Sequence, residues 1–131
     1  MKIVGMFPTI VSKNSEDLIK FASEKFGLPK AFSDAIRYHT TARENMTLFD
    51  KILWLSDFIE EEREHLACIR MRERYYFNLG QYPAEAALDI SLFEALGESL
   101  AFLKRKEKRI HPLSFAAYEY MRKEVKKYGI T

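Results

Sequence analysis

The sequence predicts an all-α domain of about five to six helices, and three observations carry that expectation. Apolar residues recur every three or four positions over most of the chain. Helix-starting and helix-stopping residues punctuate those stretches at helix-like intervals. No segment alternates apolar and polar residues between turn signals, as a half-buried strand would.

The first helix is expected from Ser15-Glu16-Asp17, capped by Asn14 or Ser15, with Leu18, Ile19, Ala22 and Phe26 on its apolar side. Gly27 ends it and Pro29 opens the next element, a short helix over 31–39 with Phe32, Ala35 and Ile36 on one face. That helix stops in the polar run Thr40-Thr41-Ala42-Arg43-Glu44-Asn45, which puts His39 at a helix end. Thr47 is the expected N-cap of a helix through Ile59. Its residues are apolar on nearly every side, so it reads as a buried central helix. Another helix is expected over 64–78, closed by Gly80. Pro83 then opens the longest pattern, to about Lys106, with Ala87, Ile90, Phe93, Leu96, Leu100 and Leu103 in register. Pro112 suits the first position of a last helix running to about Tyr128. Residues 1–14 read as a short N-terminal extension and 15–131 as a single domain.

Composition narrows the function. The chain has 131 residues, 10 Phe, 7 Tyr and 1 Trp, and domains of this size bury roughly two-thirds of their unfolded surface. No disulfide or structural metal is required to hold such a core. The 21 Lys and Arg against 19 Asp and Glu give a formal net charge of +2, which argues against a dedicated DNA or RNA binder. The densest basic run, Lys104-Arg105-Lys106-Glu107-Lys108-Arg109, reads as a solvated helix end. A single cysteine, Cys68, cannot form an internal disulfide, fits a reducing, cytoplasmic compartment, and reads as a small buried hydrophobe. The mildly apolar N-terminus is interrupted by Pro8 and followed by Lys13, Asn14 and Glu16, so neither a signal peptide nor a membrane span is expected.

Asp57 is the one charged residue between Ile52 and Ile59 on the helix read as buried. A lone buried carboxylate costs several kcal/mol unless compensated. Its partner is a metal ion, a capping hydroxyl, or an arginine among Arg37, Arg43 and Arg63. His39, beside Thr40, Thr41 and Arg43, places an imidazole, hydroxyls and a guanidinium around one phosphate-sized space, yet a histidine at a helix C-terminus also simply suits the dipole. His111 before Pro112 reads as a helix-start residue held locally, and His65 as solvated. His39 and Asp57 make two metal donors where catalytic zinc takes three. The sequence contains no Gly-rich phosphate loop, His-Glu-x-x-His, Cys-x-x-Cys or Gly-x-Ser-x-Gly.

The string from Ala35 to Ile52, AIRYHTTARENMTLFDKI, followed by Leu55-Ser56-Asp57-Phe58-Ile59-Glu60, resembles the YqeK-type HD-superfamily phosphohydrolases. Their pattern runs A-I-R-Y-H-T-T-G-R-x-x-M-[ST]-L-x-x-K-I, then A-D-Y-I-E-P-x-R. Ile110-His111-Pro112, before a helix carrying Ala116-Ala117-Tyr118, resembles the same family's closing segment. The resemblance implies an all-helical, metal-dependent hydrolase of nucleotides, splitting diadenosine tetraphosphate symmetrically into two ADP. It implies His39 and Asp57 as metal ligands and catalytic residues, holding iron, manganese or a similar divalent ion. Thr40, Thr41, Arg43, Arg63 and His111 then face substrate. The departures are specific. No His-Asp dipeptide occurs in the sequence, Asn14 aligns where the family has a histidine, Ala42 replaces Gly, Ser56 replaces Ala, and Glu61 replaces Pro. The alternative reading is therefore a non-catalytic helical module binding nucleotide or protein. A homo-oligomer is the third expectation, with self-pairing covering apolar surface that lies beneath the family's N-terminal helices.

Overall fold

The computed structural model describes residues 24, 27, 30–60 and 62–130. The helix expected from Ser15 and the extension before it lie outside the described residues. Among the described residues there are five α-helices, one 3-10 helix and no strand. They are α1 (Lys30–Arg37), α2 (Leu48–Phe58), α3 (Leu66–Gln81), α4 (Ala84–Arg105), α5 (Pro112–Glu124) and η1 (Val125–Tyr128).

Helix α4 is the organising element. α3, α5, α2 and η1 all pack against it, while α1 rests on α2. Its Leu88, Ile90, Leu92, Ala95 and Leu96 join Trp54 and Leu55 of α2, Met71 of α3, and Ala117, Met121 and Val125 of the C-terminal elements in one core. Gly97 faces α5, and a Cβ there would stand 3.2 Å from Tyr118 Cε1. Tyr118 in turn stacks on Phe93, centroids 5.2 Å apart.

Local chemistry fixes the helix ends. Thr47 caps α2 with a full capping box: Thr47 Oγ1 accepts from Asp50 N at 3.1 Å and Asp50 Oδ2 accepts from Thr47 N at 2.9 Å. His65 and His111 each use Nδ1 to accept the N–H two residues on, at 3.3 Å and 3.1 Å, opening α3 and α5. Helix α4 closes with Glu107 in the left-handed region at φ 54°. There Lys108 N–H bonds Leu103 O and Glu107 N–H bonds Lys104 O, a Schellman closure.

Three expectations are corrected. Helix α2 is not buried all round, because Leu48, Phe49 and Ile52 are 61%, 44% and 44% exposed; only its Trp54–Leu55 side, with Asp50, is buried. Gly80 does not close α3, which runs through it to Gln81 and ends before Pro83, where the proline rather than the glycine sets the boundary. The short helix ends at Arg37, so His39 lies in the following turn rather than in the helix. The remaining boundaries agree closely, and Cys68 is buried, with burial raising its thiol pKa.

Candidate active site

The segment after α1 is a tight turn held from three sides. Ala42 N–H bonds Tyr38 O at 2.7 Å, Trp54 Nε1 donates to Thr40 O at 3.4 Å, and Ser114 Oγ donates to Thr41 O at 2.8 Å. The turn is thus tied to both α2 and α5. Ala42 is fully buried at φ 64°, a conformation that glycine adopts without cost. This is the position where the resemblance has glycine. The departure is therefore a cost in backbone strain, set against the apolar contacts of its methyl group.

His39 is 9% exposed, and its Nδ1 sits 2.6 Å from Ile36 O. A carbonyl only accepts, so Nδ1 carries the proton and Nε2 is the ring nitrogen on offer to a ligand. A backbone carbonyl bonded to one ring nitrogen in this way fixes the ring and turns the other nitrogen outward, as it does in metal-ligating histidines. Arg43 lies over the Tyr38 ring, 4.7 Å from its centroid; its Nε donates to Asp50 Oδ2 at 2.8 Å and its Nη2 forms an ion pair with the same oxygen at 2.7 Å. Thr40 is exposed and Thr41 half-buried, its hydroxyl donating to Ala42 O.

Asp57 lies in the last turn of α2, half-buried, and Arg63 grips it twice. Nη2 donates to Oδ2 at 3.0 Å and Nε to the backbone oxygen at 2.7 Å. Of the partners open at the sequence level, the structure supplies Arg63. Arg72 holds the segment below, donating to Ile59 O, Glu60 O and Arg63 O. His111 is exposed and caps α5.

Among the described residues the fully buried carboxylates are those of Asp50 and Asp89, neither of which the sequence marks as buried. Asp50 carries Arg43, and its Oδ1 is buried without a hydrogen-bond partner. Asp89, 0% exposed, accepts from Lys51 Nζ at 2.7 Å and from Tyr128 Oη at 2.8 Å, pinning η1 to the core. Thr47-x-x-Asp50 was legible as a capping box. Asp89 stood in an apolar run with no signal of its partners.

Among the described residues no three His, Cys, Asp or Glu side chains converge as a metal site. An imidazole nitrogen such as His39 Nε2 and a carboxylate such as that of Asp57 are donor types that divalent cations take, and the Asp57 carboxylate is held by Arg63. Further donors would have to come from outside the described residues or from solvent.

The fold resembles that of an HD-superfamily hydrolase. A predicted HD superfamily hydrolase involved in NAD metabolism from Clostridium acetobutylicum superposes with a TM-score of 0.66 at 25% identity, over 81% of this chain and 52% of that one. By sequence, the chain is related to the C-terminal portion of the symmetrical bis(5'-nucleosyl)-tetraphosphatases, the YqeK type. It is 31% identical over 88 residues to that of Bacillus subtilis, covering 67% of this chain and 42% of the relative. It is 33% identical over 92 residues to that of Halalkalibacterium halodurans, covering 70% and 44%. The Staphylococcus aureus protein is 29% identical over 86 residues, covering 66% and 41%. The chain thus spans less than half the length of the curated relatives it matches. No family model matches it.

Proposed function

We propose that this chain acts in the metal-dependent hydrolysis of dinucleoside tetraphosphates, cleaving diadenosine tetraphosphate symmetrically to ADP. The observation that carries this reading is the His39 turn, retained in a chain related to symmetrical tetraphosphatases, with Nδ1 fixed on Ile36 O and Nε2 left free. His39 and Asp57 would hold the ion together with donors from outside the described residues. A divalent ion so held supplies Lewis-acid polarisation of phosphate and an activated water.

The chain's own residues supply position and charge. Arg43, kept on Tyr38 by Asp50, has Nη1 left over for a phosphate oxygen. Thr40 and Thr41 offer hydroxyls beside it. Arg63 sets the orientation of Asp57 by gripping both its carboxylate and its backbone oxygen, and His111 approaches substrate from the start of α5. The substrate is a dinucleotide rather than a nucleic acid, in keeping with the near-neutral charge. Among the described residues no helix is long and apolar enough to cross a membrane, and we place the protein in the cytoplasm.

Incubating the chain with diadenosine tetraphosphate and ferrous iron or manganese, and separating the products, tests the proposal. ADP as sole product, lost in His39→Ala, is expected. No ADP with either ion refutes hydrolysis. A second reading, a non-catalytic nucleotide-binding module, is favoured by the lack of a three-donor cluster among the described residues. Calorimetric binding of the dinucleotide without turnover would establish that reading instead.

A further inference from the structure

A second cleft lies between α3, the first half of α4 and the C-terminal tail, with a volume of about 390 Å³. Phe77, Tyr82 and Phe93 contribute aromatic surface to it, and Phe77 is 55% exposed. Asn78 also lines it although the residue as a whole is only 1% exposed. Both its amide hydrogens are committed, to Ser91 Oγ at 2.9 Å and Glu94 Oε1 at 3.3 Å. Among the described residues its carbonyl Oδ1 has no hydrogen-bond donor, which leaves an acceptor at the cleft.

The charges lining the cleft cancel. Arg74 lies 5.3 Å from the Phe77 ring centroid and is locked to Glu94 by two hydrogen bonds of 3.0 and 3.3 Å. A phosphate or carboxylate there would meet a neutralised guanidinium, the Glu94 carboxylate and an acceptor oxygen. A purely apolar ligand would cover Asn78 Oδ1 without pairing it, which is costly. The cleft suits a neutral, flat ring that stacks on aromatic side chains and donates one N–H.

From this cleft we infer that the chain has a nucleobase site, separate from the His39 turn, that takes an amine-bearing base with its exocyclic N–H donated to Asn78 Oδ1 and its ring against Phe77 and Tyr82. Binding there involves no phosphate and no bond cleavage, so it stands or falls apart from hydrolysis.

The test titrates adenosine into the isotopically labelled full chain to millimolar concentration, following backbone amide resonances. Purine riboside, which lacks the exocyclic amine, is the comparison. Adenosine is expected to shift Phe77, Asn78, Tyr82 and Glu94 saturably, with purine riboside about fivefold weaker for one lost hydrogen bond. Phe77→Ala is expected to weaken adenosine about tenfold, as removal of a base-stacking ring does. Equal binding of the two nucleosides, shifts confined to residues 38–43, an unaffected Phe77→Ala, or no saturable shift would each overturn the site. The wild-type comparison alone decides the amine's role.

Discussion

The Arg43–Asp50 pair holds the His39 turn against α2, and its strength follows from its geometry. The Asp50 side chain is 1% exposed, that of Arg43 24%. Asp50→Ala removes the ion-pair partner of Arg43, with the acceptor of its Nε–H, and the acceptor of the Thr47 N–H. The capping loss costs about 1 kcal/mol. Breaking the ion pair adds about 2 kcal/mol, less than for a fully buried pair because Arg43 can recover solvent. Arg43→Ala leaves the buried carboxylate with only the Thr47 N–H, and that costs about 3 kcal/mol as well. If the two residues acted independently, the double variant would lose about 6 kcal/mol. Because each single variant already breaks the same interaction, the double variant should lose about 4 kcal/mol, a coupling of about 2 kcal/mol. Urea unfolding of the four proteins at neutral pH measures it. Additivity within about 0.5 kcal/mol would refute the reasoning and leave the turn to Trp54 and Ser114 alone.

Other consequences are as direct. Glu107→Gly should raise stability by about 1 kcal/mol, since it relieves a left-handed non-glycine at the α4 closure and removes an acidic side chain from a helix C-terminus; unchanged thermal unfolding would contradict it. Tyr128→Phe should cost about 2 kcal/mol by leaving Asp89 Oδ2 unpaired. Burial and the Asp89 hydrogen bond raise the Tyr128 pKa, so its contribution is complete below the ordinary tyrosine pKa near 10 and fades as pH rises through the raised folded value. Denaturation curves of wild type and Tyr128→Phe should therefore differ at neutral pH and converge at alkaline pH. On the acid side, the Lys30 hydrogen bond, with the Lys30, Arg43 and Arg37 charges, outweighs desolvation and lowers the Asp34 pKa. The advantage of wild type over Asp34→Asn should be full above about pH 4 and vanish as pH falls through the lowered value. An advantage that does not vary with pH would show that the pairing is not electrostatic.

Most of the architecture was legible because helix punctuation is local. Thr47, Pro83 and Pro112 mark helix starts by chemistry that needs no partner from elsewhere in the chain. Gly80 misled because a glycine inside a helix and one that ends it look the same until the following proline is weighed. The exposed flank of α2 misled for a different reason: apolar residues on all sides of a helix do not say which sides find neighbours. At the candidate site, His39 was singled out by its expected place at a helix end, and Arg63, which pairs with Asp57, was already among the candidates for it. Asp50 and Asp89 were missed as buried anchors, since the partners that make burial tolerable are long-range in the Lys51–Asp89 and Tyr128–Asp89 cases, 38 and 39 residues away. Asn78 had no signal at all, because an asparagine in a helix is ordinary until its neighbours are known.

The assignment of His39 and Asp57 to one divalent metal centre is tested most directly by elemental mass spectrometry of untagged protein purified without chelator, alongside His39→Ala and Asp57→Ala. Iron, manganese or a similar metal near one per chain is expected in wild type, and its loss in both variants. Wild-type protein without metal, or metal retained equally in the two variants, would contradict it.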